Sequence, residues 1–176
     1  MPPSLTFQEG ATLSCAAVTA WNALYGLKPL APGEVVLTQG TGGVSIFAIQ
    51  FAKAAGATVI ATTSSERKSE ILKKLGADHV INYKATPEWG AIAKKLTPGE
   101  LGAHHVIEVG GPSTMAQSLE AVKTDGIISL IGFLGGVDKK DEPSYLETLT
   151  RNCIVRGFVV GSRAQFEDMV CGLVLT

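Results

Sequence analysis

The feature that most constrains the fold is an apolar strand that runs into a glycine-rich turn, a helix and a second apolar strand. These segments are residues 34–39, 40–43, 46–55 and 58–63. In this order of elements, a glycine turn is typical of a dinucleotide-binding site. The alternative is a tight strand-to-helix turn that binds nothing.

Each small residue of the turn has a physical reason to be small. Gly40 allows the tight turn, and Gly42 lets the backbone approach a pyrophosphate. Ser45 takes the sixth position of the motif, where a small side chain permits close packing between helix and strand. The N-terminus of the following helix directs free N–H groups and the positive end of its dipole at the same place. The turn therefore predicts a phosphate-binding backbone.

Six short apolar runs, rich in valine and isoleucine, alternate with helical segments along the chain. Runs without polar alternation are typical of a parallel sheet that is covered on both faces. They are residues 34–39, 58–63, 79–82, 104–109, 127–132 and 153–160. The sequence thus predicts an α/β fold with a Rossmann-type, doubly wound, six-stranded parallel sheet in the order 3-2-1-4-5-6. We expect a single domain over residues 1–176, with a leading helix within 1–30 and a short C-terminal tail at 162–176.

Composition excludes several classes of partner. The chain of 176 residues has a net charge of −1 and scattered basic residues, which argues against a nucleic-acid surface. No apolar run reaches the roughly 20 residues that span a bilayer, so we expect no membrane association. The 3 cysteines are widely spaced and odd in number, a pattern that favours reduced thiols and a cytoplasmic location.

Several motifs, in order along the chain, resemble the medium-chain dehydrogenase/reductase superfamily, nearest to its alcohol dehydrogenase-like and quinone oxidoreductase-like branch. They are Thr12–Leu24, Gln39–Ser45, Lys53–Ala57, Leu75–Tyr83 and Ile128–Phe133. The resemblance implies a cofactor-binding domain that positions nicotinamide against a substrate. It also implies that the GroES-like domain holding most of the family's substrate pocket is missing from this chain.

The residues after the second strand bear on the choice of nicotinamide cofactor. An acidic residue at the end of that strand would bind the adenosine ribose and repel a 2′-phosphate, but this position is Thr63. Ser64 and Ser65 follow, and hydroxyls suit a phosphate. Lys68 and Tyr83 match the family positions that hold the 2′-phosphate in quinone oxidoreductase-like members. We therefore predict NADP, with NAD as the alternative.

The complete set of predicted cofactor-binding residues combines the turn, the adenosine end and, by resemblance, the nicotinamide end. It comprises Gly40, Thr41, Gly42, Gly43, Val44, Thr63, Ser64, Ser65, Lys68, Tyr83, Val109, Ile131, Gly132, Phe133 and Val159.

No residue is an evident general acid, general base or metal ligand. Glu108 ends the fourth strand near the expected cleft, where a hydrogen-bonded structural role is commoner than a catalytic one. Cys15 matches a catalytic-zinc ligand of zinc-dependent relatives, but zinc needs at least three protein ligands. We predict that Cys15 is a small buried thiol and that the chain binds no zinc.

Three functions remain open. The first is the NADP(H)-binding domain of a zinc-independent oxidoreductase that acts on a carbonyl or an activated C=C bond. The second is a nucleotide-binding or dimerisation module without redox activity. The third is an isomerase or cyclase that uses the same scaffold. The apolar sixth strand, residues 153–160, is an expected sheet edge, and by resemblance we predict a homodimer through it.

Overall fold

The computed structural model describes residues 5–136 and 143–175, with side chains placed as far as residue 172. Its centre is a six-stranded parallel sheet in the order β3-β2-β1-β4-β5-β6. The strands are β1 (Val35–Gln39), β2 (Thr58–Thr63), β3 (His79–Asn82), β4 (Ala103–Glu108), β5 (Val122–Leu130) and β6 (Ile154–Gly157). The predicted fold class and strand order are therefore confirmed.

Eight α-helices lie in the described part of the chain. They are α1 (Phe7–Thr12), α2 (Val18–Tyr25), α3 (Gly43–Ala54), α4 (Glu66–Lys74), α5 (Trp89–Lys95), α6 (Pro112–Ala121), α7 (Glu147–Arg151) and α8 (Arg163–Leu175). A π-helical turn, Leu13–Ala17, joins α1 to α2, so the predicted leading helix is one continuous helical segment. A short 3₁₀ turn, Pro98–Glu100, precedes β4. No helix among the described residues is long and apolar enough to cross a bilayer.

Alternate residues of the central strands point into two apolar cores, one on each face of the sheet. Val36 packs with the leading helix, α3 and α8, whereas Val35 and Leu37 pack with α5 and α6. All five positions of β1 are buried. A strand buried on both faces cannot alternate apolar with polar residues, which explains the uniform apolar runs of the sequence.

Two strands differ from their predicted bounds by more than one residue. β5 begins at Val122, where it pairs with Ala103 before a shift of register ahead of His105. β6 ends at Gly157 because the chain turns at Val160, whose φ of +57° lies in the left-handed region. The expected extended run to residue 160 is therefore wrong.

The expected C-terminal tail is a helix. Ser162 and Gln165 form reciprocal hydrogen bonds at its start: the Gln165 N–H donates to Ser162 Oγ at 3.2 Å, and the Ser162 N–H donates to Gln165 Oε1 at 2.8 Å. This Ser-x-x-Gln capping box was a sequence signal for a helix start. α8 then packs on the leading helix, where the added Cβ of an alanine at Gly172 would meet the Trp21 ring at 3.0 Å.

Candidate functional site

The turn between β1 and α3 holds a left-handed glycine at its apex. Gly40 has a φ of +73°, and its N–H donates to the Thr62 carbonyl at 2.8 Å, which ties the turn to β2. Gly42 is the N-cap of α3, with extended backbone. A Cβ added at Gly40 or Gly42 would meet nothing within 4 Å. The backbone therefore faces open space at both positions.

The two ends of the turn are held by close packing. Ser45 is buried, and its hydroxyl donates to the Gln39 carbonyl at 2.6 Å, which closes the turn onto β1. On the other side, a Cβ at Gly43 would lie 3.0 Å from the Cβ of Ala16 in the π-helical turn. A small residue at each position allows the start of α3 to sit between β1 and the leading helix.

A cavity of about 560 Å³ lies outside the carboxyl ends of the strands, above this turn. It is lined by Gln39, Gly40, Thr41, Gly42, Gly43, Val44, Ser45, Thr62, Lys68, Tyr83, Trp89, Val109, Gly110, Ser113, Thr114, Leu134 and Gly135. β1 and β4 are neighbours in the sheet whose connections run to opposite faces, and a crevice at such a point is the usual ligand site of a doubly wound fold. The cavity thus occupies the expected place.

The structure brings about half of the predicted residues to this cavity. They are Gly40, Thr41, Gly42, Gly43, Val44, Lys68, Tyr83 and Val109. The predicted residues that do not line it are Thr63, Ser64, Ser65, Ile131, Gly132, Phe133 and Val159. Thr63 is buried, and its neighbour Thr62 lines the cavity instead. Phe133 and Val159 are exposed by 70% and 90%, because the chain has already left the sheet at both positions.

The end of the cavity beside β2 and β3 is cationic and polar. Lys68 lies in the first turn of α4, and Tyr83 directly follows β3; both side chains are exposed. Ser64 and Ser65 are half-buried in the loop between β2 and α4. Glu66 starts α4 with an exposed side chain and does not line the cavity. This end therefore offers a cation and hydroxyls to an anionic group.

The buried carboxylate of Glu108 binds several of the segments that form the cavity. Glu108 is fully buried and accepts hydrogen bonds from Gln39 Nε2 at 2.7 Å and from the N–H groups of Gly110 and Gly111 at 2.8 and 2.9 Å. The hydroxyls of Thr114 and Ser118 also donate to it. Charge-assisted hydrogen bonds stabilise a carboxylate that water no longer reaches. The interpretation of Glu108 as a structural, hydrogen-bonded residue agrees with this geometry.

Gln39 completes the link between the two central strands. Its Oε1 accepts from the N–H groups of Val109 and Gly110 at 3.1 and 3.2 Å. Together, Gln39 and Glu108 hold the end of β1, the loop after β4 and the start of α6 in one arrangement. These are the segments that contribute Val109, Gly110 and Thr114 to the cavity wall.

Sequence reasoning missed several lining residues. Ser113 and Thr114 follow Gly110 and Gly111 at the carboxyl end of β4, so they repeat the strand, glycine and helix order of the first half. That repeat was a usable signal. Helix α6 begins at Pro112, with Gly111 as its N-cap and no side-chain cap hydrogen bond. Trp89, at the start of α5, and Leu134, in the loop after β5, carry no local signal, because only the tertiary fold brings them to the cavity.

Cys15 lies on the π-helical turn with an exposed side chain. The prediction of a buried thiol is therefore wrong: the π-helical turn directs Leu13 and Ala17 inward and leaves Cys15 outside. Among residues 5–136 and 143–172, no three His, Cys, Asp or Glu side chains lie close enough to hold a metal ion.

Comparison with known proteins adds family membership to this geometry. A family model described as zinc-binding dehydrogenase matches residues 43–174. A zinc-type alcohol dehydrogenase-like protein of Schizosaccharomyces pombe is 53% identical over 173 residues, which is 96% of this chain and 50% of that protein. The chain thus spans about half the length of the curated relatives it matches.

Solved structures agree with this assignment. The structure of an NAD-dependent alcohol dehydrogenase superposes with a TM-score of 0.87 and 31% identity, covering 98% of this chain and 49% of the other. A mycobacterial protein solved in complex with NADPH gives a TM-score of 0.83 and 25% identity, covering 99% and 54%. The chain therefore belongs to the zinc-binding dehydrogenase family, and its glycine turn, parallel sheet and crevice are those of a cofactor-binding domain of the medium-chain dehydrogenase/reductase superfamily.

Proposed function

We propose that the chain is the NADP(H)-binding domain of an oxidoreductase that acts on a carbonyl or an activated C=C bond without zinc. The observation that carries this proposal is a single cavity that joins the open glycine turn to Lys68 and Tyr83. The turn suits a pyrophosphate, and the cation and phenol suit the 2′-phosphate of NADP.

The residues present fit a dinucleotide. At Gly40 and Gly42 the space that a Cβ would occupy is open, so a phosphate can approach the backbone there. The first N–H groups of α3 have no partner within the helix and would donate to that phosphate. When bound, the nicotinamide would supply or accept the hydride, and the chain's part is to hold and orient it.

The preference for NADP over NAD rests on charge at the adenosine end. β2 ends in Thr62 and Thr63, neither of which could accept hydrogen bonds from a ribose as a carboxylate does. Lys68 lines the cavity, whereas Glu66 does not. A comparison of NADP and NAD binding by calorimetry tests this choice, and a clear preference for NAD would overturn it.

The substrate class and the independence from zinc are proposals from the chain's own residues and from its resemblance to the quinone oxidoreductase-like branch. The matched S. pombe protein is named zinc-type, and Cys15 is exposed at the family's ligand position, so the metal needs a direct test. Elemental analysis of protein purified without added metal should find no stoichiometric zinc. One zinc per chain would refute this part of the proposal.

A second candidate is a nucleotide-binding or dimerisation module with no redox activity of its own, and a third is an isomerase or cyclase. The observation relevant to these alternatives is that the chain covers only 50% of the length of the S. pombe relative. Mixing the protein with NADPH and a panel of enals, quinones and aldehydes, while following nicotinamide absorbance, separates the three. Turnover supports the oxidoreductase, saturable binding alone supports the module, and substrate conversion without NADPH supports the third.

We also propose a homodimer through β6 and keep a cytoplasmic location as a prediction. β6 is the edge of the sheet, and Ile154 within it is 46% exposed. Ile154→Lys tests this edge, since Ile154 lies on β6 and edge lysines oppose strand pairing. Light scattering should give a dimer for the wild type and a monomer for the variant. A wild-type mass that stays monomeric at all concentrations would contradict the proposal.

A further inference from the structure

The loop that leaves β6 contains a strained residue. Val160 has a φ of +57°, a conformation that is an outlier for a β-branched side chain. Phe158 and Val160 pack on the core, whereas Val159 between them is 90% exposed. Strained backbone of this kind persists only where surrounding contacts impose it.

A side chain of α2 binds this strained loop. Asn22 is 4% exposed, and its Nδ2 donates to the Val160 carbonyl at 2.9 Å. Its Oδ1 accepts from Arg156 Nη2 and from Gln165 Nε2, each at 2.8 Å. Two donors on the oxygen and one acceptor on the nitrogen fix the orientation of the amide. Asn22 therefore joins the leading helix to β6, to the strained loop and to α8.

The strained loop follows the carboxyl end of β6, on the same edge of the sheet as the glycine turn. In a doubly wound sheet, the first three strands face the adenosine half of a dinucleotide and the other three face the nicotinamide half. A Cβ at Gly161, which ends the loop, would meet Val18 Cγ2 at 2.9 Å, so the loop is also pressed against α2.

We propose that Asn22 is a positioning residue: through the Val160 carbonyl it holds the loop 158–161 in the strained conformation that meets the nicotinamide half of the cofactor. This inference rests on the proposed function and adds to it a residue on the leading helix. The loop meets the cofactor through its backbone and the exposed Val159, whereas Asn22 only positions the loop.

Asn22→Asp is the sharpest variant. The new carboxylate keeps an acceptor for Arg156 and Gln165 but replaces the donor to Val160 with a second acceptor. Loss of one such bond should weaken NADPH binding by about tenfold. Binding of 2′,5′-ADP, which lacks the nicotinamide half, should stay within about twofold. Asn152→Asp adds the same charge at an exposed site before β6 and should change neither affinity.

A second variant tests the role of the positive φ at Val160. Glycine adopts positive φ without steric cost. Val160→Gly in the Asn22→Asp background should therefore recover at least about threefold in NADPH affinity, and no recovery would refute the role given to the strained turn.

Other outcomes separate this inference from the proposed function. Unchanged NADPH affinity in Asn22→Asp, or equal losses for NADPH and 2′,5′-ADP, would overturn the positioning role alone. If that variant does not fold, hydrogen exchange on the wild type replaces it: NADPH should protect residues 158–161, 2′,5′-ADP should not, and equal protection would overturn the inference. A wild-type chain that binds neither ligand would refute the proposed function, and this inference with it.

Discussion

A pair of polar side chains lies near each end of the two central strands, β1 and β4, and the two pairs differ in their hydrogen bonding. Gln39 and Glu108 are buried, whereas Glu34, just before β1, is only partly buried beside His105. At the carboxyl ends of β1 and β4, the Glu108 carboxylate accepts hydrogen bonds from Gln39 and from the start of α6. At the amino ends, His105 is 1% exposed, and its Nε2 lies 3.5 Å from Glu34 Oε2. Neither ring nitrogen of His105 has a hydrogen-bond partner in the described part of the chain.

The difference follows from the direction of the strands. Helices that follow parallel strands begin at the carboxyl edge, so their free N–H groups gather there and satisfy a carboxylate. The amino edge receives helix ends and offers few such donors. The buried Glu108 carboxylate at the carboxyl edge is therefore supplied with donors, whereas the buried His105 ring at the amino edge is not.

The first prediction tests whether the ligand binds at the carboxyl edge of the sheet. Gly42→Val should lower NADPH affinity by at least about a thousandfold, roughly 4 kcal/mol, because the side chain would fill the space where backbone meets pyrophosphate. The fold should survive, since a Cβ at Gly42 meets nothing within 4 Å. Titration of 2′,5′-ADP and NADPH, with a thermal melt, measures both.

Gly157→Val is the matched control for Gly42→Val. A Cβ at Gly157 also meets nothing within 4 Å, but this glycine lies on β6 and away from the cavity. Its affinity for 2′,5′-ADP should equal that of the wild type. Unchanged NADPH affinity in a folded Gly42→Val protein would refute the site.

The second prediction concerns the Glu108 carboxylate, whose oxygens accept several hydrogen bonds. Glu108→Gln places an NH₂ group among donors, so at least one buried donor loses its acceptor. We expect the free energy of unfolding to fall by about 2–4 kcal/mol. Urea unfolding measures this. Glu120→Gln, which breaks a partly exposed ion pair with Arg151, should cost less than about 1 kcal/mol. Equal losses would show that Glu108 has no special role.

The third prediction sharpens the choice of cofactor. Lys68→Met should weaken NADP binding about ten- to hundredfold and NAD binding much less, because a charge-assisted bond to phosphate contributes about 1.5–3 kcal/mol. Lys73 lies on the same helix and pairs with Glu70 instead, so Lys73→Met should leave both affinities unchanged. If Lys68→Met weakens both cofactors equally, the lysine acts on the fold or the pyrophosphate.

The last prediction concerns the pH dependence of stability that His105 causes at the amino edge of the sheet. Burial lowers the pKa of His105 below 6.5, Glu34 opposes this shift, and Lys28 and His104 add to it. The unfolded chain then binds more protons than the folded one below pH 6.5, so stability is full above that pH and falls as the pH drops.

Between pH 7 and pH 6 the loss from His105 should be less than about 1 kcal/mol. Thermal melts across this range should show it, and His105→Leu should reduce the slope. Burial and Lys123 also lower the pKa of His104, so some slope should remain in the variant. A slope that His105→Leu leaves unchanged would assign the pH dependence to other groups.

Local sequence was sufficient for the strand order and for the glycine turn. A glycine that permits positive φ, an adjacent helix start and flanking apolar strands act within about 30 residues, so their pattern survives in the linear chain. The bounds of β2 and β3 matched for the same reason. Cys15 was wrongly predicted to be buried. The helix of the C-terminal segment was not predicted, although the Ser162 capping box was a local signal for it.

The features that could not be predicted from the sequence depend on contacts between residues distant along the chain. The Gln39–Glu108 bond joins positions 69 apart, and the Asn22–Val160 bond joins positions 138 apart. The position of a buried amide or carboxylate depends on which hydrogen-bond donors the fold brings close to it. Residues adjacent in the sequence do not indicate which donors those are. The fold and the phosphate-binding turn can thus be predicted from the sequence, because the chemistry of the turn is local backbone geometry. The shape of the crevice around that turn, and the conformation of the loop after β6, depend on long-range polar contacts that exist only once the sheet has formed.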